Sequence, residues 1–240
     1  FLTAFYIIFF GIIVSFCHLL YAEVTMRTKE DHRLPGYAGL YLGPKWKKVA
    51  FIQSIITLWA TLLVYTIIAG EFLKIIFSSS DLLISESILG AAFFLVSSII
   101  IWRGDHSVGV QEVLFILPMA IIIIVIFILS FFSPHFYFSN LLSFDIHRWA
   151  LPYGITLFAL SGFSVIPLLE HLLTPARKKG VSINYPFIIF TGTLIPAFLY
   201  LLFTWGVLGV SGARTTEDGL SGLVEFLGSD IVITGALLGI

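Results

Sequence analysis

Apolar runs about as long as a lipid bilayer is thick recur along the whole chain, and they limit the folds that it can adopt. A membrane-spanning helix needs about 20 predominantly apolar residues. Only 11% of the residues are charged, whereas about a quarter are charged in soluble domains. We therefore predict an all-α integral membrane protein with a single transmembrane domain over 1–240. The expected spans lie at about 1–23, 49–73, 84–102, 108–132, 149–173 and 184–210, and a seventh begins at about 228 and is cut short at 240.

The distribution of basic residues orients these spans. Ten of the 13 Lys and Arg residues lie in the loops after spans one, three and five, and three lie on the other side. Loops rich in Lys and Arg stay in the cytoplasm, so the first span runs from outside to inside. That start calls for a further span upstream. Because the chain begins at Phe1 and ends at Ile240 within apolar runs, we expect a fragment truncated at both ends.

The fifth span, 149–173, carries small and helix-breaking residues near its middle. Ser161, Gly162, Ser164 and Pro167 follow each other closely there. A break within the membrane frees N–H and C=O groups, which cost several kcal/mol each unless protein, water or ligand satisfies them. The alternative is a kink at a Gly and a Pro, which are common in membrane helices. We predict a break near 159–164 that forms a ligand site at mid-depth.

The two halves of such a helix present opposite partial charges to the break between them. In the predicted orientation the inner half, 165–173, begins there with free N–H groups and the positive end of its dipole, which suits a carboxylate. The outer half, 149–160, ends there with free carbonyl groups, which suit an ammonium group. A zwitterionic amino acid satisfies both ends at once. A rival break lies in the sixth span, at Thr191, Gly192, Thr193 and Pro196.

Polar side chains also follow one face of the second span. Ser54, Thr57, Thr61 and Tyr65 are spaced by three and four residues, which places them on one side of a helix. Such a stripe faces the helix bundle or a watery cavity, unless the hydroxyl groups bond back to their own helix. Thr61 and Tyr65 lie nearest to mid-depth.

Ionisable residues otherwise lie near the ends of the spans. His18 and Glu112 are candidates for a proton relay, and the alternative for Glu112 is a favourable position at a helix start. The sequence contains no HExxH motif, Ser-His-Asp grouping or metal-ligand cluster, so we expect neither an enzyme nor a metal site. A net charge of -1 gives no reason to expect a nucleic-acid partner. Cys17 is the single cysteine, which excludes an intrachain disulfide.

Two loops resemble each other. Residues 34–43 read LPGYAGLYLG and residues 218–228 read DGLSGLVEFLG, so both contain G-x-x-G-L followed by Leu-Gly. Five spans separate the loops, which places them on opposite sides of the membrane. This arrangement indicates an inverted repeat, with chance agreement between Gly- and Leu-rich loops as the alternative. We expect each loop to form a short helix at the membrane interface.

Two segments carry a family likeness, YAEVTMRTKEDHRLPGYAGLYLGPKWK at 21–47 and LFALSGFSVIPLLEHLL at 157–173. They resemble the amino acid/auxin permease and aromatic amino acid permease families. These belong to the amino acid–polyamine–organocation superfamily, whose fold is the LeuT-type 5+5 inverted-repeat helical bundle. The resemblance extends from family helix 2 to the start of helix 8 and makes the fifth span the discontinuous helix 6 of the family.

The resemblance implies a secondary active amino acid transporter, an ion-coupled symporter that works by alternating access in the bacterial inner (plasma) membrane. The implied substrate is an amino acid, either aromatic or large and neutral. The implied coupling ion is H⁺ more usually than Na⁺, and no cofactor is expected. The implied site combines the middle of the fifth span with one polar position of family helix 3: Phe158, Ala159, Leu160, Ser161, Gly162, Phe163 and Ser164, with Thr61 or Tyr65.

Two other functions compete with transport. A transporter-like sensor would bind amino acids at the same site without moving them, and the sequence does not separate it from a transporter. A seven-helix receptor fits the number of spans, but it leaves the interrupted helix and the similar loops without a role.

Overall fold

The computed structural model describes residues 1–77, 84–102, 108–142, 147 and 149–240, without the side chains of 108–115 and 176. These described residues form helices and turns and contain no strand, which confirms the all-helical class. The helices are α1 Leu2–Arg27, α2 Leu34–Leu42, α3 Pro44–Ile76, α4 Glu86–Trp102, α5 Val108–Phe131, α6 Phe138–Leu141, α7 Leu151–Leu160, α8 Val165–Lys178, α9 Tyr185–Ser211, α10 Val224–Leu227 and α11 Ser229–Gly239.

Four helical segments of the described residues are long and apolar enough to cross a membrane. Their mean hydropathy lies between 1.6 and 2.2. Three further apolar helices are shorter, at Glu86–Trp102, Ile116–Phe131 and Ser229–Gly239. The segments that could cross are Leu2–Arg27, Pro44–Ile76, Leu151–Pro175 and Tyr185–Arg214.

Large apolar side chains cover much of the outer surface of these helices. Trp59 is 73% exposed and Ile101 is 76% exposed. A soluble protein rarely presents such extended apolar patches to water. These exposed apolar surfaces are suited to contact with lipid tails.

The chain divides into two compact units, and each is described by itself. The first comprises Phe1–Trp59 and Phe144–Tyr200, and the second comprises Ala60–Ser143 and Leu201–Ile240. Helices α3 and α9 contribute to both units.

In the first unit α1 packs against α7, α8 and the first part of α9. Ala22, Ile166 and Ile189 form a buried cluster where three of these helices meet. A Cβ on Gly11 would lie 3.5 Å from the Cβ of Ala197. Small residues at such a point let two membrane helices approach closely.

The second unit has its own apolar core. Six buried side chains from α5, α9, α11 and the preceding turn pack together. Leu223 is fully buried although it belongs to a 3₁₀ turn, so the turn is part of the packing. The six are Ile126, Val207, Leu220, Leu223, Val232 and Ala236.

The two loops of similar sequence also share a backbone feature. Helix α2 ends at Gly43, with φ 93° and ψ 176°, and Pro44 begins the next helix at once. Helix α10 ends at Gly228, with φ 86° and ψ 159°, and Ser229 begins the next helix at once. A Cβ on either glycine would meet no atom within 4 Å, so the positive φ is what requires glycine.

Asp218 organises the turn that leads into α10. Its carboxylate accepts hydrogen bonds from the hydroxyl groups of Thr216 and Ser221. It also accepts from the backbone N–H groups of Leu220, at 3.2 Å, and Ser221, at 3.1 Å. Partial burial opposes ionisation, but these hydrogen bonds outweigh it and hold the pKa of the Asp218 carboxyl below its usual value.

We expect Asp218→Asn to lower the melting temperature of the purified protein by a few degrees at neutral pH. Because the pKa of this carboxyl is lower in the folded state, its ionised form contributes stability above the unfolded-state pKa. That contribution is lost as the pH falls through the folded-state pKa. Thermal unfolding measured from neutral to acidic pH should therefore show a shallower pH dependence in the variant. Glu217→Gln, at the exposed neighbour, is the control, and identical curves for the two variants would contradict this role.

Candidate functional site

The interruption between α7 and α8 is the centre of the candidate site. Helix α7 ends at Leu160 and α8 begins at Val165. Ser161 has extended backbone angles and donates its N–H to the Phe158 carbonyl at 3.1 Å. Val165 donates its N–H to the Gly162 carbonyl, also at 3.1 Å. Serine and glycine favour the helix weakly, and a proline lacks an N–H donor, which explains why the helix ends here.

Side chains from neighbouring helices reach the backbone of this interruption. The Gly162 N–H donates to Nε2 of His18 at 3.3 Å. The Tyr200 hydroxyl lies 3.4 Å from the carbonyl oxygen of Ala159, near the end of α7. Helix ends leave N–H and C=O groups without partners in the helix, and these two contacts satisfy one group on each side of the break.

His18 links the interruption to α9. It is 4% exposed, and its Nδ1 lies 3.0 Å from Oγ1 of Thr193. The Thr193 hydroxyl donates its hydrogen to the carbonyl of Ile189 at 3.0 Å. A hydroxyl group has one hydrogen, so Nδ1 of His18 is the donor in this pair. Nε2 then carries a lone pair and accepts from Gly162, which makes His18 neutral in this arrangement.

Gly162 leaves room for the imidazole ring. A Cβ at this position would lie 3.2 Å from Cε1 of His18, which is closer than an ordinary van der Waals contact. The His18 ring also contacts Phe163 edge to face, with the ring centroids 4.6 Å apart. The ring of Tyr21 also lies near Phe163, at a centroid distance of 6.1 Å. The backbone of the interruption is thus held against α1 by one hydrogen bond and by ring packing.

The seven site residues predicted in the fifth span lie together at this interruption. Leu160 is buried, and Gly162 and Phe163 are half-buried. The remaining four are exposed: Phe158, Ala159, Ser161 and Ser164. The exposed members are accessible to a ligand, whereas the buried ones determine the shape of the break.

The two predicted residues of the second span belong to the second unit. Tyr65 is 59% exposed and Thr61 is half-buried, and their share in the site stays a prediction. At Ser54 the hydroxyl donates back to the carbonyl of Ala50 at 2.7 Å. Back-bonding, the alternative interpretation of the polar stripe, therefore applies at that position.

The rival break is absent from the sixth span, because α9 runs as one helix from Tyr185 to Ser211 with Pro196 inside it. Thr193 instead serves as the partner of His18. Sequence reasoning missed this contact, since the two residues are 175 positions apart and no local pattern connects them. The side chain of Glu112, the other candidate for a proton relay, lies outside the described residues.

The break presents both hydrogen-bond donors and hydrogen-bond acceptors of the backbone. Among the described residues, no charged side chain forms a hydrogen bond with the break. The start of α8 supplies N–H groups and the end of α7 supplies carbonyl groups, which match a carboxylate and an ammonium group. The part of the chain that the structure describes contains no group of three His, Cys, Asp or Glu side chains that could hold a metal ion.

Comparison with known proteins identifies the family. A family model for tryptophan/tyrosine permeases matches residues 1–229, a segment that contains both halves of the interrupted helix. No match was found among curated proteins or among solved structures. The match confirms the resemblance to aromatic amino acid permeases and, with the apolar helices, supports a multi-pass membrane protein of amino acid transport. The chain belongs to the tryptophan/tyrosine permease family.

Proposed function

We propose that the protein is a secondary active transporter that carries a large neutral or aromatic amino acid across the cell membrane by alternating access. The transport is a symport with an ion, and the proton is favoured over sodium. The observation that carries the proposal is the interruption between Leu160 and Val165 in a chain of a permease family. A seven-helix receptor would leave the interruption without a role.

The substrate site proposed here lies along the exposed side of the break. The carboxylate binds N–H groups at the start of α8, and the ammonium group binds carbonyl groups at the end of α7. Phe158, which is 37% exposed, and the half-buried Phe163 offer ring surfaces to an aromatic side chain.

Alternating access is supported by the similarity of the two loops. They share a sequence pattern, and each ends a short helix at a glycine of positive φ, Gly43 or Gly228, directly before the next helix. Inverted repeats allow one group of helices to rock against another around a central site. We propose the 5+5 repeat for this chain and the bacterial inner membrane as its location.

Uptake into proteoliposomes tests this function. We expect the full-length protein to accumulate labelled tryptophan, tyrosine or phenylalanine above equilibrium when an inward proton gradient is applied, and to do so less well with a sodium gradient. A panel that includes leucine, lysine and glutamate defines the substrate class. Saturable binding without flux would instead establish a sensor. The absence of both binding and flux for every amino acid would overturn the proposal.

A further inference from the structure

We propose that His18 binds the proton that is carried with the substrate, and that it does so by releasing the Gly162 N–H. This inference rests on the proposed function and assigns the ion site of the same break. The proton and the substrate carboxylate would then bind cooperatively. The proton frees the Gly162 N–H for the carboxylate, and the carboxylate pairs with the charged imidazole.

The hydrogen bonds around His18 make its protonation and the present arrangement mutually exclusive. Nε2 uses its lone pair to accept from Gly162 at 3.3 Å, and Nδ1–H donates to Thr193 at 3.0 Å. Both nitrogens of a charged imidazole are donors. A proton on Nε2 would therefore face the Gly162 N–H, and two donors cannot form a hydrogen bond. The bond to Thr193 is unaffected, so it keeps the ring in place.

A substrate carboxylate resolves this conflict. It accepts from the freed Gly162 N–H and from Nε2–H of His18, the two donors that face each other across the present 3.3 Å contact. Hydrogen bonds from a charged donor to a carboxylate are stronger than those between neutral groups. His18 is 4% exposed, and burial penalises an isolated charge unless it is paired. The imidazole is thus protonated when the carboxylate arrives and loses the proton to water when the substrate leaves.

None of the described contacts of His18 can pair with a charged imidazole, so the substrate carboxylate is the partner that we propose. Its described contacts are Gly162, Thr193 and Phe163, which are all uncharged. Glu170 on α8 is already paired with Arg177 at 3.2 Å. Two of the remaining charged groups on the packed helices, Glu23 and Arg27 of α1, pair with each other, and Nδ1 of His171 on α8 lies 3.4 Å from Oδ2 of Asp31. The other ionisable side chains there are Tyr6, Cys17 and Tyr21 on α1, Tyr153 on α7, Lys178 on α8, and Tyr185 and Tyr200 on α9.

The pH dependence of substrate affinity tests the proposal. In the wild-type protein we expect the Kd to fall about tenfold or more as the pH falls through the range in which histidine titrates, a typical size for coupling between two sites. His18→Gln retains a carbonyl acceptor and an amide donor but no titration, so its Kd should not change with pH. It should still exchange labelled for unlabelled amino acid but lose accumulation driven by the proton gradient. His171→Gln, at an exposed histidine of α8, is the matched control and should keep the wild-type pH dependence.

A second measurement needs no variant. Addition of substrate to the wild-type protein in weak buffer, at a pH where His18 is neutral, should take up close to one proton for each amino acid bound. Proton-driven uptake that persists in His18→Gln, or binding without proton uptake in the wild type, would overturn the inference and leave the proposed transport function intact. A wild-type protein that neither binds nor transports amino acids would overturn both.

Discussion

We expect the replacement of Gly162 by leucine to abolish substrate binding while the protein remains folded in detergent. A Cβ at this position already lies 3.2 Å from Cε1 of His18, so the longer side chain displaces the imidazole ring or fills the break. Two hydrogen bonds to the carboxylate are then lost, at about 1.5–3 kcal/mol each. We expect the Kd to rise by about 100-fold or more, since each 1.4 kcal/mol or so is a factor of ten. Equilibrium binding of labelled substrate and a melting curve measure the two properties.

The control for this prediction is Gly154→Leu. Gly154 lies in α7, and a Cβ there would meet no atom within 4 Å. This variant should bind substrate like the wild type. Wild-type affinity in Gly162→Leu would show that the break is not the substrate site.

We expect the replacement of Gly90 by leucine to lower the free energy of unfolding more strongly than it changes any other property. A Cβ on Gly90 would lie 2.5 Å from the carbonyl oxygen of Thr66, and one on Gly70 would collide with the carbonyl of Glu86. The two glycines thus let α3 and α4 pack with their backbones in contact, as small residues do in membrane proteins. A leucine forces the two helices apart. It therefore breaks the ion pair between Nζ of Lys74 and Oε1 of Glu86, which lie 2.5 Å apart in the wild-type protein.

We expect a loss of about 3 kcal/mol for Gly90→Leu, the upper part of the usual range for overpacking. For a chain of this size that corresponds to a fall of roughly 10 °C in the melting temperature. Gly192→Leu is the matched control, because a Cβ at Gly192 would meet no atom within 4 Å. Equal melting temperatures for the two variants would contradict the close packing of α3 and α4.

The family and the helical class could be read from local features of the chain. Long apolar runs leave the backbone no stable alternative to helices in lipid, and the described residues are helical accordingly. Ser161, Gly162 and Pro167 predicted an interruption near 159–164, and α7 and α8 flank residues 161–164. The reason is that helix propensity and the missing N–H of proline act within a few residues.

The sixth span shows where such reasoning stops. Thr191, Gly192 and Pro196 offer the same kind of local signal, yet α9 is continuous there. Proline in a membrane helix is tolerated when neighbouring groups compensate for the lost hydrogen bond. Whether a helix is interrupted at residues of low helix propensity therefore depends on its packing against other helices. The sequence of a single segment does not reveal that packing.

Helices, a membrane environment and a break near 159–164 in the fifth span could all be predicted from the amino-acid sequence. The contact of His18 on α1 with Gly162, and the contact of Thr193 on α9 that orients the His18 ring, appear only in the folded structure. Helix breaks and apolar runs follow from short-range backbone chemistry. The hydrogen bonds around His18 join residues more than 140 positions apart, and they form because three helices pack together and bring those groups within reach of one another.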